Sequence, residues 1–244
     1  MILLGLILIA LLIRTVVRKK RYEHSEYYAQ TKKPYFALLG DKGALGEYYT
    51  YHYLKNLNGY KRFLFNCYLP KDNGETTELD VIMIHESGIY VFESKNYSGW
   101  IFGTETQQYW TQTMPAGGQK PQKNRFFNPI MQNKVHLKWL QSYLKIDLAL
   151  FYSYIVFSER CTLKNIKLTS KQHHVINRYD VLSEVQCNAT SAGKCLSDEE
   201  VELLYEKLYP LTQVDTLQKL KHIHVVQEKQ KNRTKQNPLM KLEG

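Results

Sequence analysis

Two apolar runs share one tight turn, and this pattern restricts the fold more than any other stretch of the chain. Leu79 to Ile84 and Ile89 to Tyr97 are separated only by His85-Glu86-Ser87-Gly88. Runs of this length, rich in β-branched and aromatic residues and closed by a glycine-bearing loop, predict an antiparallel hairpin. With those four residues as the turn, Ile84 pairs with Ile89, and the same register sets Asp80 opposite Glu93. Alternate residues share a strand face, so Lys95 lies on the face of Glu93. Three ionisable side chains thus converge at one end of an otherwise apolar hairpin.

Two carboxylates facing each other at roughly 5 Å between Cβ atoms repel and weaken a sheet. Acids embedded in apolar strands also need a partner. A divalent cation, Mg²⁺ or Mn²⁺, would offset the repulsion, since such ions take one or two carboxylates together with water and phosphate oxygens. Lys95 would hold a phosphate or stabilise charge developing on it, and the metal would generate a nucleophile near neutral pH. The set suits phosphodiester hydrolysis. The competing reading is a solvated strand face, where Glu-x-Lys is common; the apolar neighbours of both acids weigh against it.

Two further positions extend the set. Asp41 to Leu57 predicts a helix with Asp41 as N-cap and Ala44, Tyr48, Tyr51 and Leu54 as its inner stripe. Glu47 lies at the edge of that stripe, either a third carboxylate or a solvated acid, and spacing alone favours the second. Asn128-Pro129 opens another helix, to about Lys145, because proline suits the first helical turn. Gln132, in that first turn, either bonds a substrate phosphate and orients water or is a neutral filler. His136, one turn on, reads as a helix-face histidine and not as a base. Strands are expected at 62–69, 99–103, 107–112, 150–157 and 175–177. Capping chemistry starts a further helix at Leu196-Ser197-Asp198-Glu199-Glu200. The pattern is that of an α/β chain around a mixed sheet.

The chain carries 33 Lys and Arg against 23 Asp and Glu, a net charge of +10, which points to an anionic partner. Residues 115–127 read as a basic loop, in which Lys120, Lys123 and Arg125 either contact a nucleic-acid backbone or are simply solvated. A 43% apolar content excludes a mostly disordered chain. Cys67, Cys161, Cys187 and Cys195 are too scattered for a disulfide scaffold or a zinc module. The 19 tyrosines suit either a polyanion-binding face or a core.

Met1 to Val17 is membrane-like. Ile2 to Ile13 is free of charge, Arg14 interrupts, and Arg18-Lys19-Lys20-Arg21 follow. A spanning helix needs about 17–25 residues. A basic cluster after the apolar run predicts an uncleaved single-pass anchor in the cell membrane, with the rest of the chain cytoplasmic. The alternative is a short hydrophobic helix docked on its own domain.

Four motifs in order carry a resemblance: Gly43-Ala-Leu-Gly46-Glu47, Glu78-Leu79-Asp80-Val81-Ile82, Gly88-Ile-Tyr-Val-Phe-Glu93-Ser-Lys95-Asn96-Tyr97-Ser-Gly99, and Asn128-Pro129-Ile-Met-Gln132. Together the chain resembles the nuclease-related domain (NERD) family of the restriction-endonuclease-like superfamily, with its D…(D/E)xK signature. The resemblance covers roughly 38–160. It implies a restriction-endonuclease-like mixed sheet flanked by helices. It also implies Asp80, Glu93 and Lys95 as the nuclease core, Glu47 as the helix acid and Gln132 as the polar residue of the later helix. Family members often carry an N-terminal membrane segment; the four-cysteine zinc module of some members is absent from this sequence. The expected organisation is an anchor at 1–17, a basic juxtamembrane linker at 18–37, the nuclease-related domain at 38–160, an α/β extension at 161–217 and a basic tail at 218–244. The expected function is a Mg²⁺-dependent nuclease acting on nucleic acid, DNA ahead of RNA, with Asp80, Glu93 and Glu47 as metal ligands. A membrane-tethered, non-catalytic adaptor binding nucleic acid or protein is the alternative. A weaker one has the basic runs at 18–21 and 219–241 binding anionic lipid.

Overall fold

The computed structural model describes residues 2–115 and 120–236, side chains included as far as 229. Four helices lead: α1 (Ile2–Glu23), α2 (Glu26–Thr31), α3 (Tyr35–Gly40) and α4 (Lys42–Leu54). Strands β1 (Lys61–Pro70), β2 (Thr76–His85), β3 (Gly88–Lys95), β4 (Gly99–Thr104), β5 (Tyr109–Met114) and β6 (Gln122–Phe127) follow. Then come α5 (Pro129–Leu144), β7 (Phe151–Phe157), β8 (Cys161–Lys167), β9 (His173–Asn177), α6 (Val181–Ala192), α7 (Asp198–Leu208) and α8 (Thr216–Gln236).

The main sheet runs β1-β2-β3-β7-β9. Its first three strands are antiparallel, and β7 and β9 join in parallel. Ile84 pairs with Ile89 and Val81 with Phe92. The hairpin is tighter than a four-residue loop, because His85 pairs with Gly88 and only Glu86 and Ser87 remain between them. Gly88 has φ +135°, and a Cβ there would stand 2.6 Å from the Leu150 carbonyl oxygen, so the turn admits no side chain at this position.

Both faces of this sheet are covered, which is why its central strands are apolar without alternation. One face carries Phe63, Phe65, Val81, Met83, Tyr90 and Phe92 against Tyr48, Tyr51 and Leu54 of α4. The other carries Leu64, Leu79, Ile82, Ile84 and Val91 against Leu137, Leu140 and Leu144 of α5 and Val201 and Leu208 of α7. Many tyrosines are core residues. Tyr22 meets Tyr48 edge-on with ring centroids 5.1 Å apart, and Tyr27 meets Phe65 at 4.8 Å.

A second sheet, β6-β5-β4-β8, grows from the ends of β3 and β7. Trp110 stacks on Phe157 within its own small core with Ile101, Ile130 and Ile155. The single mixed sheet expected from sequence is therefore two sheets. The expected basic loop is in part strand β6, paired with β5; residues 116–119 of it lie outside the described residues.

The expectation of an N-terminal transmembrane helix, and with it a single-pass location at the cell membrane, is corrected by the structure. Among the described residues no helix is long and apolar enough to cross a membrane. The charge-free run Ile2–Ile13 is twelve residues, about 18 Å of helix against a hydrocarbon core of about 30 Å. Beyond it α1 bears Arg14 and then Arg18 to Arg21, and it ends with Tyr22 buried in the tyrosine core. The stretch read as a linker is thus mostly helical, and Tyr22, Tyr27 and Gln30 within it are buried. The stretch read as a basic tail is also engaged, because α8 lies back on the β1–β2 turn. His222 meets Thr76 at 2.9 Å, and Lys229 pairs with Glu75.

Candidate active site at the end of the hairpin

The site forms where β2 and β3 stop being a regular ladder. Ladder pairing ends at Val81 and Phe92, and beyond it the Ser94 amide donates to Asp80 Oδ2 at 2.9 Å. A side-chain carboxylate there accepts from a backbone N–H, so Asp80 is fixed to β3 itself. Asp80 is pushed well above the ordinary carboxylate range, first by burial and then by the negative charge of Glu93 and Glu47.

Glu93 is 1% exposed and sits between two cations or potential cations. Lys95 Nζ donates to its Oε1 at 2.6 Å, and His136 Nε2 lies 3.2 Å from its Oε2. Burial opposes ionisation of Glu93, yet Lys95 and then His136 outweigh burial and hold it below its ordinary value. For Lys95 burial alone would favour the neutral amine. Glu93 and Asp80 beside it reverse this and raise its proton affinity. The pair is therefore Glu93⁻ with Lys95⁺, and Asp80 is the acid the environment leaves short of a counter-charge.

Helices bring in the rest. Asp41 caps α4 by accepting from the Gly43 and Ala44 amides at 3.0 and 3.1 Å. The helix presents Glu47 inward, at 9% exposure, where Tyr27 O–H donates to its Oε2 at 2.9 Å. Burial pushes Glu47 up to about 7, against the lowering effect of the Tyr27 hydrogen bond. Spacing favoured a solvated Glu47, and the structure buries it, because α1 and α2 fold over α4.

Asn128 aims α5. Its Oδ1 accepts from the Ile130 amide at 2.9 Å. Its Nδ2 reaches the carbonyls of Glu105 and Gln107 at 3.0 and 2.6 Å. The first turn so placed brings Gln132 to the site, where its Oε1 accepts from Lys95 Nζ at 3.3 Å. Replacing Asn128 by Ala strips a buried cap and orphans those carbonyls. A loss of about 2–4 kcal/mol is expected, read as a lowered urea midpoint with unchanged slope.

His136, expected from sequence to be only a helix-face histidine, joins the site beside Glu93. It is buried, and its Nδ1 meets Thr77 Oγ1 at 2.9 Å. The available signal was its i, i+4 spacing from Gln132, which puts both on one helix face. Lys120, Lys123 and Arg125 do not join the set. They are exposed, the last two on edge strand β6 of the second sheet, with Arg125 over the Tyr109 ring at 5.4 Å.

Among the described residues no group of three or more His, Cys, Asp or Glu side chains is placed to hold a metal ion, so Asp80, Glu93 and Glu47 do not form the three-carboxylate ligand set expected from sequence. A hard divalent cation needs less, one or two carboxylates with the remaining ligands water or substrate. Asp80 is short of positive charge, and Glu93 Oε2 is buried with only His136 Nε2 beside it, at 3.2 Å. These two carboxylates fit such an ion.

Residues 42–158, which hold all of these groups except Tyr27 and Asp41, match the model of the nuclease-related domain family. An uncharacterized protein of Bacillus anthracis is 31% identical over 189 residues, covering 77% of this chain and 85% of its own length. No solved structure matches. With the family's motifs folded together around Glu93 and with a relative that matches most of both chains, the protein belongs to the nuclease-related domain (NERD) family, whose general context is the restriction-endonuclease-like superfamily.

Proposed function

We propose that this chain is a nuclease that hydrolyses phosphodiester bonds of nucleic acid, DNA ahead of RNA, at the Asp80–Glu93–Lys95 cluster. The observation that carries the reading is the charge gathered at that point: buried Glu93 is paired with Lys95 and His136, while Asp80 beside it and Glu47 are both held above the ordinary carboxylate range. A fold seldom keeps such groups for stability alone, since buried ion pairs are often replaceable by apolar residues at no loss.

Asp80 and Glu93 would hold Mg²⁺ or Mn²⁺, and Glu47 would act through its charge on Asp80 and not as a third ligand. When bound, such an ion supplies a water of lowered pKa and neutralises charge on the leaving oxygen. Lys95 directs its ammonium to the attacked phosphate and stabilises the charge gathering there. Gln132 accepts from Lys95 and fixes its direction. His136 anchors Glu93 from the α5 side. Lys120, Lys123 and Arg125 on the exposed edge would hold the strand by its phosphates without reading sequence.

The test incubates the full chain with end-labelled single- and double-stranded DNA and RNA, in Mg²⁺, Mn²⁺ or EDTA. Wild type should cut only with metal, and Asp80→Asn should lose about a hundredfold or more of the rate while keeping its circular dichroism spectrum. A folded wild type that cuts nothing under either metal sinks the reading and leaves a non-catalytic binding module.

A further inference from the structure

On the far side of α5 from Gln132 and His136 lies a cavity of about 970 Å³, within the range of ligand pockets. Leu137, Phe151 and Leu168 give it apolar walls. Lys134, Lys138 and Lys171 line it as well, and no carboxylate does. Lys134 is engaged by Glu105 at 3.2 Å, whereas Lys138 and Lys171 enter no ion pair among the described residues. Glu105 is itself saturated, accepting from the amides and hydroxyls of Thr169 and Ser170.

The wall also contains His173, only 5% exposed, with neither ring nitrogen hydrogen-bonded. A buried polar group left unpaired costs about 1–3 kcal/mol. Burial, and after it Lys134, lowers the proton affinity of His173. At neutral pH its ring thus carries one donor and one acceptor nitrogen, which point away from each other across the ring. A planar heterocycle with a donor or an acceptor on its edge answers one of them. A partner that also satisfies the lysines carries an anionic group, which on a heterocycle-bearing ligand is most commonly phosphate.

We propose that this cavity binds a nucleotide. The base lies against Phe151, Leu137 and Leu168 with its polar edge toward His173, and the phosphates meet Lys138 and Lys171. The site is separate from the hairpin acids, although α5 contributes to both, and the inference does not depend on nuclease activity. The nucleotide is either free or the terminus of a strand, and the two differ in whether a chain of phosphates is required.

The test is isothermal titration of the full chain in EDTA with AMP, ATP, a short oligonucleotide, adenosine and inorganic phosphate. AMP and ATP should bind, at least about tenfold more weakly to Lys138→Glu/Lys171→Glu, and with unchanged affinity to Asp80→Asn. Oligonucleotide binding that follows the same double variant, without AMP binding, would assign the cavity to a strand terminus. Phe151→Ala should weaken AMP but leave inorganic phosphate alone. Nucleotide affinity equal in wild type and the lysine variant overturns the proposal, as does inorganic phosphate binding as tightly as ATP. So does the absence of binding by every nucleotide probe to a folded chain.

Discussion

Lys95→Met should be the most damaging conservative-volume change in the site, and its damage should shrink in acid. The side chain is 17% exposed, and its ammonium is the direct partner of Glu93 at 2.6 Å, a carboxylate only 1% exposed. Removing one partner of a buried ion pair leaves an uncompensated charge and costs about 3–5 kcal/mol, or roughly 10 °C in a chain of this size. The pH dependence identifies the cause. In the wild type Glu93 is held below its ordinary value. Its contribution to stability is therefore present above the unfolded value of 4.5 and is lost as pH falls through the folded one. Without Lys95, burial and Asp80 dominate and Glu93 moves up, so the folded state takes up a proton that the unfolded state does not. The variant should then gain stability relative to wild type as pH falls from 8 toward about 5. Thermal melts of both proteins across that range check this, and a deficit that does not change with pH would mean the lost contacts were packing. Under the proposed function the same variant also loses cleavage, by about a hundredfold or more.

Glu47→Gln should act in the opposite direction on stability. The folded chain holds Glu47 at about 7 against an ordinary 4.5, because it is buried. For an acid raised in the folded state, stability is highest while both states are protonated and falls as pH rises through the window from 4.5 to about 7. That window corresponds to about 3 kcal/mol. A glutamine keeps an acceptor for the Tyr27 hydroxyl and carries no charge to desolvate. The variant should therefore match wild type near pH 4.5 and exceed it by up to about 3 kcal/mol at pH 8, in urea melts run with EDTA. Relief of repulsion on Asp80, which Glu47 helps to raise, adds to the same sign. If Glu47 supports the proposed site through its charge on Asp80, cleavage falls while stability rises. That combination is the usual mark of a group retained for function. Equal pH profiles for the two proteins would instead mean that Glu47 is already solvated in solution.

The hairpin and its acids could be read directly because their logic is local. A tight turn between two apolar runs admits one register, and that register sets Asp80 and Glu93 at the same end of adjacent strands. Asn128-Pro129 and Asp41 likewise announce their helices through capping chemistry that involves only a few neighbouring residues. The anchor expected at 1–17 failed for a reason the same residues contain. Composition suggested a membrane, but the charge-free length is too short, and Tyr22 ends the helix in the core.

The amino-acid sequence by itself determined the strand–turn–strand unit, the two capped helices beside it, and the convergence of Asp80, Glu93 and Lys95. Each follows from turn geometry, capping or strand alternation over short distances. Only the tertiary structure decided that Glu47 is buried, that His136 reaches Glu93, and that the strands divide into two sheets. The first depends on α1 and α2 closing over α4 through a tyrosine cluster. The second depends on Asn128 tying α5 to carbonyls more than twenty residues away. The third depends on which strands from distant parts of the chain pair in parallel, β3 with β7 and β4 with β8. Burial and charge compensation are properties of neighbours in space, and periodicity along the chain does not specify which neighbours those are.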